Sequence, residues 1–129
     1  MIRFSGEQPE FSKRRRLEAI VASAMSEIEK QEKNKNKLEL DINDIIQQIM
    51  ASESDAERRS LAEEAIRTTK GFVASVEAFL GFLRKTVDDF RKLSIDTKEI
   101  EDIIPDVEKE REEKLKIIKT LEKMLALGN

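Results

Sequence analysis

The side chains that could do chemistry in this chain are carboxylates, lysine and arginine groups and serine hydroxyls, because the 129 residues include no His, Cys, Tyr or Trp. Histidine is the group that most often transfers protons near neutral pH, and Ser–His and Cys–His nucleophile pairs are excluded without it. The lack of cysteine also excludes disulfides and zinc–thiolate sites. No serine stands in a nucleophile-elbow pattern, and no glycine-rich phosphate loop is present. The sequence therefore predicts a protein that is not an enzyme and that has no cofactor.

The acidic residues do not form a metal-binding pattern. Adjacent acids occur, for example, at Glu63-Glu64, Asp88-Asp89 and Glu112-Glu113. Neighbouring residues on a helix point about 100° apart, so these carboxylates diverge. Carboxylate sites in helical bundles usually include a Glu-x-x-His motif, which this chain cannot form. We interpret the acids as solvated helix faces and predict no metal site.

One concentrated basic run precedes the first apolar helical residues and consists of Lys13, Arg14, Arg15 and Arg16. Such a run could bind nucleic-acid phosphates or anionic lipid head groups. Phe11 is the only aromatic residue beside it, and the net charge of the chain is -3. Our first interpretation is a solvated helical turn that pairs with acids such as Glu18 or with a neighbouring chain. Anion binding is the alternative, and nucleic acid is the less favoured partner.

The stretch 71–83 has almost no charge, because Glu77 is its only ionised residue. A helix that is apolar all round is normally covered on all sides. Small residues on one helix face also allow another helix to come close. We therefore predict a partner-binding surface made of Gly71, Ala74, Ala78, Gly81 and Phe82. The alternatives are that the chain's other helices cover this surface, or that residues 71–87 lie at a membrane interface.

Three helices must position these residues, at about 12–51, 54–93 and 96–127, after a flexible lead-in over 1–11. Ser12 is the expected N-cap of the first helix. Ser54 and Glu57 have the spacing of a capping box, and Asp96 is the expected N-cap of the third helix. Within the first helix, a break near Asn34–Asn36 is the alternative to one continuous helix, which we favour because the apolar rhythm keeps its phase. Pro105 either kinks or splits the third helix.

Ala, Glu, Lys, Leu and Arg make up about half of the residues, which is typical of long helices. Short connections between three helices favour an all-α, elongated, antiparallel three-helix bundle (up-down-up) with coiled-coil-like packing, formed by residues 12–129 as one domain. The polar interruptions at Gln31/Lys35 and Arg111/Lys114 are expected at one level of this bundle, near Thr69 to Val76. The expected core residues of the second helix are Phe72, Val73, Val76, Phe79, Leu80, Leu83, Val87 and Phe90.

These observations favour a non-catalytic helical module for protein–protein interaction. We expect it to form a homo-oligomer through the apolar middle of the second helix; another helical protein is the alternative partner. The lack of a long apolar run in residues 1–11 favours a cytoplasmic protein. The alternative functions are membrane association through residues 71–87 and binding of an anionic partner or nucleic acid through residues 13–16.

Overall fold

A computed structural model describes the backbone of residues 4–128 and the side chains of residues 11–128. The described chain forms three α-helices and no strand: α1 is Phe4–Ala51, α2 is Asp55–Lys92 and α3 is Lys98–Leu127. At 1.5 Å per residue, their lengths are about 70, 57 and 45 Å. The prediction of an all-α, three-helix protein is confirmed.

The first helix begins earlier than the sequence predicts. It starts at Phe4, so the predicted N-cap at Ser12 is wrong. Pro9 lies close to this start, where the loss of one backbone donor affects a single turn and leaves the core undisturbed. Residues 1–3 of the predicted lead-in lie outside the described part of the chain.

Helices α1 and α3 are both continuous. No break occurs at Asn34–Asn36, which confirms the prediction of one long first helix. Pro105 lies inside α3 and does not split it. This proline is exposed, so the backbone carbonyl that it leaves without a helical partner lies on the solvent side.

The connections use side-chain and backbone caps. The Ser54 hydroxyl accepts a hydrogen bond from the Glu57 backbone N–H at 3.3 Å, which confirms the predicted N-cap of α2. The N-cap of α3 is Thr97 and not Asp96, although the Asp96 carboxylate accepts a hydrogen bond from the Lys98 N–H at 3.1 Å. The prediction for α3 is therefore wrong by one residue.

Contacts between side chains give the directions of the helices. Lys70 lies beside Glu122 and Arg91 lies beside Glu101, so residue numbers rise along α3 as they fall along α2. These two helices are antiparallel. In contrast, Lys35 contacts Glu110 and Glu39 contacts Lys114, so α1 and α3 run in the same direction. The up-down-up order of the bundle is confirmed.

The buried apolar residues form two clusters along the bundle. The larger cluster is centred on Phe72, Phe79, Leu83 and Phe90 of α2, with Ile28, Ile42, Ile100 and Val107 from the other helices. The smaller cluster, nearer the α1–α2 connection, contains Ile45, Ile49, Ala65, Ile66, Ile118 and Leu121. All eight expected core residues of α2 are buried.

A charged layer interrupts the larger cluster between Ile28 and Ile42 of α1. We call it the lysine layer, and it consists of Lys35 and Glu39 of α1 with Glu110 and Lys114 of α3. The two lysines are only 4% and 5% exposed. The Lys35 ammonium donates to Glu110 at 2.7 Å, and the Lys114 ammonium donates to Glu39 at 3.3 Å. Lys114 also lies 5.0 Å from the centre of the Phe72 ring, a distance at which a cation is attracted to an aromatic face. The predicted meeting of the polar interruptions at one level near Thr69 to Val76 is confirmed.

Candidate interaction site

The outward side of α2 carries the residues that the sequence singles out. We call Gly71, Ala74, Ala78 and Gly81 the Gly–Ala face. All four residues are exposed. A Cβ atom placed on Gly71 or Gly81 would have no neighbouring atom within 4 Å. Helices α1 and α3 therefore leave this face uncovered, because they pack against the opposite, phenylalanine-bearing side of α2.

Phe82 differs from the other four predicted partner-binding residues. It is half-buried and packs against the larger apolar cluster. Its remaining surface lines a groove between α1 and α2. Phe82 therefore belongs partly to the core and partly to the surface. Glu77, on the outward side, is exposed and forms no ion pair with any described residue.

The groove has a volume of about 930 Å³. Its α1 side includes Arg16, Ile20, Ser23, Glu27 and Lys30, and its α2 side includes Phe82, Thr86 and Asp89. Most of the uncharged side chains at its α1 edge are small, namely Ala19, Ser23, Ala24 and Ser26. Helix α1 also has no ionisable residue from 19 to 26. Because these side chains are short, an open channel remains along the bundle surface between α1 and α2.

The three seams between the helices differ in charge. Three ion pairs cross from α2 to α3: Lys70–Glu122, Arg84–Glu108 and Arg91–Glu101. Two ion pairs cross from α1 to α3 in the lysine layer. Among residues 11–128, no ion pair crosses from α1 to α2. Their one side-chain hydrogen bond runs from the Asn34 amide to the Ser75 hydroxyl, at 3.5 Å. The α1–α2 seam is the one that charges do not close.

The basic run lies at the end of α1 that extends past α3. Counted along the helices from the Lys35–Glu110 contact, α3 begins level with about residue 23 of α1. All four residues of the run are exposed, and Arg15 lies 5.0 Å from the ring centre of Phe11. No acidic side chain within residues 11–128 pairs with Lys13, Arg14, Arg15 or Arg16. Anion binding by this run stays a prediction.

None of the described helices has a stretch long and apolar enough to cross a bilayer. Association of residues 71–87 with a membrane interface would use apolar side chains that the bundle buries, such as Phe72, Phe79 and Leu83. This alternative therefore requires α2 to leave the bundle. Within the described residues, no group of three or more acidic side chains could hold a metal ion.

Comparison with known proteins adds no family to these observations. No protein-family model, no curated protein and no solved structure matches the chain.

Proposed function

We propose that this protein is a non-catalytic helical interaction module that self-associates through the Gly–Ala face of α2. The supporting observation is that this face is nearly uncharged and uncovered within a single chain. On a chain in which 40% of the residues are charged, an exposed run of small uncharged residues at helical spacing is an exception. Small residues at this spacing would let a second helix approach closely.

The charges at the two ends of the face indicate how two α2 helices could meet. The outward stripe continues through Glu64 and Arg67 before the face, and through Lys85 and Asp88 after it. In an aligned antiparallel pair, Glu64 would oppose Asp88 and Arg67 would oppose Lys85. Opposed like charges are unfavourable. A steep crossing near Ala74 and Ala78 avoids this repulsion, because it brings only the small residues together.

A crossing at four small residues would bury little surface. A stable protein–protein interface usually buries about 800 Å² on each partner, and glycine and alanine have little side-chain area. Self-association therefore needs further surface beside the face. Among residues 11–128, the groove between α1 and α2 borders α2 on its outward side and is free of bridging ion pairs, so it can supply that surface.

The test is to place a charge in the middle of the Gly–Ala face. We expect Ala78→Glu to weaken self-association at least about tenfold, because the carboxylate would lose its hydration in the contact. Helicity and unfolding should change little, because Ala78 is exposed in the single chain. Sedimentation velocity measures the association, and circular dichroism measures the helicity.

The matched control is Ala56→Glu, which introduces the same charge at an exposed position in the first turn of α2. This variant should associate like the unaltered chain. A purified chain that sediments as a monomer over the whole accessible concentration range would refute the proposed function. If Ala78→Glu and Ala56→Glu associate equally, the contact does not involve the Gly–Ala face.

A further inference from the structure

We propose that the basic run is a binding site for duplex DNA, and that the first turns of α1 carry it into the major groove. The run consists of Lys13, Arg14, Arg15 and Arg16, and the proposed function leaves it without a role. This binding goes beyond self-association and does not require it. The distribution of charge, the clearance from the bundle and the directions of the side chains support this partner.

The first observation is how charge divides along the chain. Residues 1–16 contain five basic and two acidic residues, a net charge of +3. Residues 17–129 contain 19 basic and 25 acidic residues, a net charge of -6. A basic segment on an acidic body is typical of an arm that binds a polyanion. The acidic body repels the same polyanion, so the arm, and not the body, favours its approach.

The second observation is that the described acids do not neutralise the run. Five of the six arginines in α2 and α3 pair with an acidic side chain. None of the three arginines in the run pairs with an acid among residues 11–128. Asp89, which lines the α1–α2 groove together with Arg16, instead binds Lys85 at 2.9 Å. The exposed charges of the run are therefore available to phosphates.

The third observation is that α1 extends past the other two helices. Asn34 contacts Ser75, and α1 and α2 are antiparallel, so α2 ends level with about residue 17 of α1. Helix α3 begins further back, level with about residue 23. We call residues 4–16, which lie beyond both helices, the basic arm. It is a helix about 20 Å long, which a partner can surround.

The fourth observation is the direction of the side chains. Consecutive residues on a helix point about 100° apart, so the four residues of the run encircle the arm. A bilayer is flat and would meet only part of this ring. An interfacial helix also needs one apolar face. Phe11 and Ile20 are the large apolar residues exposed along 11–20, and they point to opposite sides of α1 because they are nine residues apart. The arm therefore does not suit a membrane surface.

The major groove of DNA does suit this arrangement. It is about 12 Å wide and admits one α-helix, and a phosphate backbone lies along each of its two edges. A helix in the groove therefore places basic side chains near both strands at once. The major groove of duplex RNA is too narrow for this. Phosphate contacts carry no sequence information, so we expect the arm to bind DNA duplexes of any sequence.

The experiment measures binding of the full chain to a short fluorescein-labelled DNA duplex by fluorescence anisotropy at several salt concentrations. Four phosphate contacts should make the logarithm of the association constant fall with the logarithm of the salt concentration with a slope of about -3.6. Lys13→Gln, Arg14→Gln, Arg15→Gln and Arg16→Gln combined should weaken binding by about tenfold or more and flatten this slope. Arg15→Gln alone should reduce the magnitude of the slope by about 1.

The matched control replaces four exposed lysines of α3 with Gln, at Lys109, Lys116, Lys119 and Lys123, and changes the net charge equally. It should bind the duplex like the unaltered chain, while circular dichroism checks that both fourfold variants keep their helicity. Equal losses in the two variants would refute the site, because net charge alone would then account for binding. Tighter binding to a single strand of the same sequence would refute the groove geometry. Binding to vesicles of phosphatidylcholine and phosphatidylserine without binding to the duplex, or binding to neither, would refute DNA as the partner.

Discussion

Helix α1 forms two seams that differ in how they use charge. Towards α3, its lysine layer buries Lys35 and Lys114, each bonded to a glutamate of the opposite helix. Towards α2, apolar side chains fill the interior, no ion pair crosses within residues 11–128, and a groove of about 930 Å³ lies at the surface. The first seam is closed by charge, whereas the second is held by apolar packing and is open only at its outer edge.

The difference indicates separate roles for charge inside and outside the bundle. Apolar residues of α1 and α3 recur every seven positions, at Ile28, Ile42 and Ile49 and at Ile100, Val107 and Leu121. A slip of one helix by seven residues would keep many of these contacts. It would leave the buried lysines without their glutamates, which is costly. We infer that the lysine layer fixes the register of α1 against α3, whereas apolar packing alone positions α1 against α2.

The largest effect that would test this comparison comes from reversing a charge in the closed seam. We expect Lys114→Glu to lower the free energy of unfolding by about 3–5 kcal/mol. The introduced carboxylate would be buried facing Glu39, and the attraction between the Lys114 ammonium and the Phe72 ring would be lost. Urea unfolding followed by circular dichroism measures this change.

The control for this reversal is Lys116→Glu, two residues away on the exposed side of α3. It should change the free energy of unfolding by less than about 0.5 kcal/mol. A similar loss in both variants would mean that the position of the charge is unimportant, and the distinction between the two seams would fail.

A smaller effect would sharpen the role of the lysine layer. The double variant Lys35→Met and Lys114→Met fills the same volume with apolar atoms. We expect its stability to change by less than about 1 kcal/mol, because the loss of two ion pairs and the avoided desolvation of two buried ammonium groups oppose each other. The side chains of Glu110 and Glu39 are 25% and 37% exposed and can turn to solvent. A clear loss of stability in thermal unfolding would show that the ion pairs stabilise the bundle and do not only set its register.

The core of α2 and the level of the lysine layer could be predicted because both depend on periodicity within one helix. Spacing by three, four and seven residues predicted eight core residues of α2, and all eight are buried. The unbroken phase from Ile28 to Ile42 likewise predicted one continuous α1. Antiparallel connection then placed Lys35 and Lys114 at one level without any knowledge of side-chain geometry.

The burial of Lys35 and Lys114 was missed although the spacing signals it, because both occupy core positions seven residues from apolar neighbours. Features that depend on the rotation of one helix against another could not be predicted. The α1–α2 groove has no signal in the spacing of either helix, because its width depends on how α1 is rotated about its own axis against α2. The start of α1 was also missed, since Ser12 fits an N-cap in composition while the helix continues past it.

The smallest effect concerns a buried donor next to the lysine layer, at Arg111. The Nε atom of Arg111 is buried and has no hydrogen-bond partner among the described residues, while its terminal nitrogen lies 3.4 Å from the exposed Glu112. An unpaired buried donor costs about 1–3 kcal/mol, and a surface ion pair gives little in return. We therefore expect Arg111→Met to raise the free energy of unfolding by about 1 kcal/mol, since methionine keeps the packing of the aliphatic stem. Lys109→Met, at an exposed site on α3, should change it by less than about 0.5 kcal/mol. Destabilisation by Arg111→Met alone would show that the guanidinium group stabilises the bundle, and buried positive charge would then contribute outside the lysine layer as well.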